Sequence, residues 1–222
     1  MHILILGATG RVGSRILAAA LSQSHTVTAL VRNPSSLPGQ TGLTIIEGTP
    51  LKESDILRAI TSSPAPIDVV ITALNNPRKT GSPFAASVGP ADFMENCVRN
   101  LVSVMKSQGI GRVVVLSAFG VGSSSENVIA PMRMILKHSN VSVGHRDHAR
   151  VEQLLREAKG LEWTVVKPAM LTEGEGKGVR EFGEVGAGIG WMPKVSMEGV
   201  ASFMVECAER EGRGARVVVV AE

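Results

Sequence analysis

Short apolar runs alternate with stretches of helical periodicity along the whole chain. His2 to Leu6 is an apolar run that ends in glycine, as expected of a strand covered on both faces. Val12 to Ser22 then places Val12, Ile16, Ala19 and Ala20 at helical spacing. Strands are predicted at Thr26–Val31, Leu43–Ile46, Asp68–Leu74, Arg112–Ser117, Leu161–Lys167 and Arg216–Val220. Helices are predicted around Ile56–Ile60, from about Ala91 to Gln108, from Arg146 to Lys159, and near Gly199–Arg210. Pro64-Ala65-Pro66 and Gly109 stop two of them. A polar loop, Asn75–Pro90, and a glycine-rich stretch after Pro168 are the long irregular pieces. Alternation of this kind with short turns predicts an α/β fold, a Rossmann-type doubly wound parallel sheet with a small C-terminal substrate-binding portion. The 222 residues suit a single domain, with 171–195 expected to cover the substrate.

The first turn carries a motif. Gly7-Ala8-Thr9-Gly10-Arg11-Val12-Gly13 spaces three glycines between the first strand and the first helix. Gly7 permits the tight turn, Gly10 lets the backbone approach a pyrophosphate, and Gly13 lets the helix pack on the strand. The helix N-terminus adds free N–H groups and a partial positive charge. At the end of the second strand an acidic residue would hold the 2′-hydroxyl of NAD, but here Arg32-Asn33-Pro34 follows Val31. Arg32 suits a 2′-phosphate, with Arg11 as a second contact, so NADP(H) is the expected cofactor. Either arginine as a plain surface cation is the bland alternative.

Composition removes other classes. With 44% apolar residues, 19% charged and 24 glycines, the chain buries a core and is neither disordered nor collagenous. A net charge of +3 without a basic block argues against nucleic acid, and no run is long enough for a membrane span. Cys97 and Cys207 are far apart in apolar runs and read as reduced thiols. With no evident signal peptide, the expectation is a cytoplasmic protein acting on a small molecule as a monomer or homodimer.

With the glycine motif, Leu30–Pro34 and Leu161–Pro168 all present, the chain resembles the atypical short-chain dehydrogenase/reductases, and within them the NAD(P)-binding NmrA-like and biliverdin/flavin-reductase-like branch. The resemblance implies that Thr72, Ala73, Leu74, Ser117, Ala118 and Phe119 line the cofactor. It also places Pro168, Ala169, Met170 and Leu171 near the nicotinamide. Relatives often carry Gly-Asp after the third strand, where this chain has Gly48-Thr49. The larger departure is catalytic. The family's Tyr-x-x-x-Lys would fall on Gly144 and His148, and the chain contains no tyrosine.

Another group must then manage the proton, or the reaction needs none. His148 and Asp147 are candidates near the start of a helix, the histidine because its ordinary pKa of about 6.5 lies near working pH. The alternative makes Asp147 a first-turn residue favoured by the helix dipole. Ser117, at the family's serine position, is expected to hydrogen-bond a substrate carbonyl. Met94, Met105, Met132, Met134 and Met204 read as core fillers, and Met170, Trp191 and Met192 as pocket walls. Arg78 and Lys79 are candidate steering cations, or simply a solvated loop. An NADPH-dependent oxidoreductase is the leading reading. The alternatives are a dehydratase or isomerase without net redox, and a dinucleotide-binding redox sensor.

Overall fold

The computed structural model describes residues 1–76, 85–86, 88–176, 178–212 and 214–222. In chain order it runs β1 (His2–Leu6), α1 (Arg11–Ser22), β2 (Thr26–Val31), β3 (Leu43–Glu47), α2 (Glu53–Thr61), β4 (Val69–Thr72), α3 (Phe93–Gln108) and β5 (Arg112–Leu116). It continues with α4 (Ala130–His138), α5 (Val141–Glu157), β6 (Glu162–Pro168), β7 (Met170–Thr172), β8 (Arg180–Glu181), β9 (Lys194–Ser196), α6 (Met197–Glu209) and β10 (Arg216–Ala221).

The main sheet has the order β3-β2-β1-β4-β5-β6-β10-β8. Every pairing in it is parallel except β8 against β10. The order reverses between β1 and β4, and that switch point fixes where a ligand can enter. β1 is buried at every residue because helices cover both faces. On one side Ile16, Leu17 and Ala20 of α1 pack with Val200, Met204 and Val205 of α6 over Ile3, Ile5 and Val218. On the other, Leu101 and Met105 of α3 and Leu155 of α5 cover Leu4, Val70 and Val113. At the end of α3, Gly109 takes the left-handed conformation that a helix stop favours (φ +69°).

Three features differ from the sequence expectation. β4 ends at Thr72 rather than Leu74, because Ala73 and Leu74 leave the sheet to pass the first glycine turn. α4 is an additional helix, and α5 begins at Val141 rather than Arg146. β7 and β9 form a separate parallel ribbon beside the sheet. Cys97 and Cys207 are both buried and not joined to each other in a disulfide, and burial pushes the Cys97 thiol up to about 12. No helix among the described residues is long and apolar enough to cross a membrane.

Candidate active site

The glycine turn forms as its spacing requires. Gly7 sits at φ +91°, and a Cβ there would lie 2.7 Å from the Ala73 carbonyl oxygen. A Cβ on Gly13 would fall 1.9 Å from the Gly7 oxygen, so only glycine lets α1 settle onto the turn. The Gly10 amide donates to Gly7 O at 3.0 Å and closes the loop. Gly10 caps α1 without a side chain, which leaves the first-turn amides for a ligand. This cradle fits a pyrophosphate.

From the loop runs a cleft of about 640 Å³. Arg32 stands at one end with Gly48 and Thr49, while Ser117, His148 and Pro168 stand at the other. Thr9, Arg11, Val12, Ala73 and Leu74 form its middle, and Ala118, Ala169 and Leu171 border it. Ala8, Gly13 and Thr72 are buried as supports beneath the lining. Phe119 and Met170 face a neighbouring pocket instead. Pro50, Leu51, Asn75, Val88 and Phe93 also line the cleft, although nothing in their spacing marks them in the sequence. Arg78 and Lys79 lie outside the described residues.

The two arginines of the cleft differ in their partners. Arg11 pairs with Glu173 at 2.8 Å, and Glu173 also holds Arg15 at 2.6 Å. Arg32 faces no carboxylate among the described residues, so its fork is open to an anion.

Ser117 follows β5 and is anchored by its amide, which donates to Val166 O at 2.7 Å. Its Oγ is buried and has no hydrogen-bond partner among the described residues. Such an atom is costly unless a ligand completes it. His148 shares this end of the cleft. Burial, with help from His145 and the Lys167 ammonium, lowers its pKa to about 3. The ring is therefore neutral near pH 7, and the ordinary pKa assumed from the sequence does not apply to it. Asp147 points elsewhere: its Oδ2 and Oδ1 accept the backbone amides of Met94 at 2.8 Å and Glu95 at 3.0 Å, at the start of α3. Burial raises its pKa while those two amides oppose the rise.

Two smaller cavities adjoin this end. One, of about 250 Å³, is apolar and is walled by Phe119, Val128, Met132, Leu136, Met170 and Met192. Met134 (64% exposed) and Trp191 (78% exposed) remain outside it, so neither the core role nor the wall role expected of them is seen. The other, of about 150 Å³, lies where the family tyrosine would stand. It is bounded by Gly144, Asn75, Asn76, Asn140, His145 and His148. A Cβ on Gly144 would meet only Asn75 Oδ1, at 3.8 Å.

Below the site Lys167 is completely buried. Its Nζ donates to Val121 O at 2.9 Å and meets Glu152 Oε2 at 2.8 Å. Glu152 also accepts from Arg156 at 2.8 Å, and Arg156 reaches Glu184 at 2.6 Å in the glycine-rich stretch. That stretch is tied further where Asn127 Nδ2 donates to Val185 O at 2.9 Å. Its Gly174, Gly178, Gly183, Gly186, Gly188 and Gly190 all have positive φ, so they build turns. No His/Cys/Asp/Glu group among the described residues is arranged to hold a metal.

The NAD(P)H-binding protein family matches residues 7–211. Reductase pytE of Aspergillus terreus is 24% identical over 95% of this chain and 92% of its own. The anaerobilin reductase ChuY of Escherichia coli superposes with a TM-score of 0.78 at 19% identity, covering 100% of this chain and 97% of that one. A wide-type short-chain dehydrogenase/reductase from Veillonella parvula, solved in complex with NADP, gives 0.75 at 18% identity, covering 100% and 94%. A family match over nearly the whole chain, together with the cradle at Gly7–Gly13, establishes that this chain belongs to the NAD(P)H-binding family.

Proposed function

We propose that the protein is an NADPH-dependent reductase of a small organic substrate. The observation that carries this reading is the buried, unpartnered Ser117 Oγ at one end of the cleft, whose other end holds the open fork of Arg32. Two of the similar proteins are named reductases, which agrees with it. When bound, the reduced dinucleotide supplies a hydride.

The chain's residues bind and orient. Gly7, Gly10 and the N-terminus of α1 hold the pyrophosphate, and Arg32 forms a charge-assisted pair with the 2′-phosphate. Ala73, Leu74 and Pro168 are the walls against which the rings are oriented. Ser117 Oγ donates to a substrate carbonyl or quinone oxygen and stabilises the negative charge that develops there. His148, as a neutral ring, offers one N–H and one lone pair, and so passes on a proton drawn from water rather than storing one. The cavity at Gly144, edged by Asn75, Asn76, Asn140 and His148, is roomy enough for several waters, at about 30 Å³ each. Asp147 positions α5 against α3. The apolar pocket beside Phe119 takes the substrate, and residues 171–195 cover it. Removal of water there strengthens the Ser117 bond.

The test is loss of absorbance at the reduced-nicotinamide band when NADPH is offered with quinones, enones or flavins. NADPH binding without oxidation by any acceptor would instead favour the redox sensor.

A further inference from the structure

A further concavity, of about 300 Å³, opens between α4, α5 and the Gly120–Gly122 turn. Its floor is apolar, made by Val121, Val128 and Leu136, and its polar wall carries Arg133 from α4 and Arg146 from α5. Most arginines of the chain have a carboxylate: Arg15 has Glu198, Arg58 has Asp55, Arg99 has Glu95 and Arg216 has Glu181. Arg133 and Arg146 have none among the described residues, and the only contact of either fork is a 3.4 Å bond from Arg146 to Ser142 Oγ. No acid occurs between Glu126 and Asp147, so α4 offers Arg133 none on its own helix. Two guanidinium groups lining one concavity give it a positive potential that an anion offsets, screened in part by solvent because both are exposed. Their forks match a carboxylate in geometry and in charge.

We propose that this concavity binds the carboxylate of an amphipathic organic acid, whose apolar part lies on Val128 and Leu136. The same two side chains also wall the apolar pocket beside Phe119. The acid is therefore either the tail of the substrate seated in that pocket or a separate ligand. Only the first source rests on the reductase reading.

Calorimetric titration with 1-naphthoate, in the presence of NADP⁺ and without turnover, tests the site. The wild type is expected to bind it. An Arg133→Gln/Arg146→Gln protein should bind at least tenfold more weakly, and an Arg133→Lys/Arg146→Lys protein should lie between. The neutral analogue 1-naphthalenemethanol should not distinguish the three. Both arginines are exposed, so an unchanged melting temperature serves as the folding control. Failure of the wild type to bind naphthoate, or equal affinity in the glutamine protein, overturns the proposal. Met132→Trp, which fills the apolar pocket, identifies the source: lost naphthoate binding supports the substrate tail, and retained binding supports the separate acid. Because naphthoate binding is read without turnover, failure of quinones, enones and flavins to oxidise NADPH would count against the reductase reading and not against this site.

Discussion

Asp147 on α5 accepts the Met94 amide at the start of α3 at 2.8 Å, across 53 residues of sequence. With the second bond from Glu95, one carboxylate caps a helix whose own N-cap residue, Asp92, makes no side-chain cap bond. Asp147→Ala should therefore cost stability, about 1.5–3 kcal/mol for a charged bond lost over buried donors. At about 2–4 °C per kcal/mol for a chain of this size, the melting temperature should drop by roughly 3–12 °C. NADPH affinity should stay within twofold. Calorimetric melting and a cofactor titration on the same sample check both, and an unchanged melting temperature would refute the cap.

Arg32→Ala should abolish a preference for NADPH over NADH. An arginine–phosphate pair of about 1.5–3 kcal/mol corresponds to roughly ten- to a hundredfold in affinity. Titrating both dinucleotides against both proteins measures it. Equal affinities in the wild type would remove the claim, and a preference that survives the substitution would move the role to Arg11 after it leaves Glu173.

Ser117→Ala should separate rate from stability. The hydroxyl satisfies nothing in the free protein, so its loss should leave the melting temperature unchanged or slightly higher. Turnover should fall about a hundredfold or more, the usual effect of removing one donor to a developing oxyanion. A variant that keeps more than half the wild-type rate is incompatible with the assignment.

His148 gives a pH dependence of defined sign. Its folded pKa of about 3 lies below the unfolded value near 6.5, so between them the unfolded chain binds a proton that the folded chain does not. Stability thus rises with pH across that window and is lost on acidification, by about 1.4 kcal/mol per unit where the difference is complete. Urea midpoints of wild type and His148→Gln from pH 7 to pH 4 compare the slopes. The acid limb should flatten in the variant, and parallel curves would contradict a buried neutral ring.

Hydrogen exchange addresses 171–195. In the free protein, β7 and β8 should exchange slowly because they pair with β9 and β10. The turns at 186–190 should exchange fast and slow down when NADP⁺ and a pocket ligand are added. Protection there that does not depend on ligand would end the covering role.

Much of this was legible because it is local. The βαβ alternation and the spacing of Gly7, Gly10 and Gly13 need no tertiary information, nor does the missing acid beside Arg32. What was hidden depends on distant partners. α4 carries Pro131 in its first turn and exposes Met134 and Ile135, so no core stripe marks it. Asp147 looked like a first-turn acid because Val141–Gly144 did not read as helix, and its true partners lie 53 and 52 residues away. Lys167, at the end of an apolar run, gave no sign that Glu152 would follow it into the interior.

The chain has only two tryptophans, and the fold places them in opposite settings. Trp163 is 4% exposed, with the Arg156 guanidinium 5.8 Å from its ring centre. Trp191 is 78% exposed, between Gly190 and Met192, which line the apolar pocket. With no tyrosine to add background, the emission comes from one buried and one solvated indole. On the covering role proposed for 171–195, closure over the pocket would shift the Trp191 emission, so ligand arrival could be followed without a label.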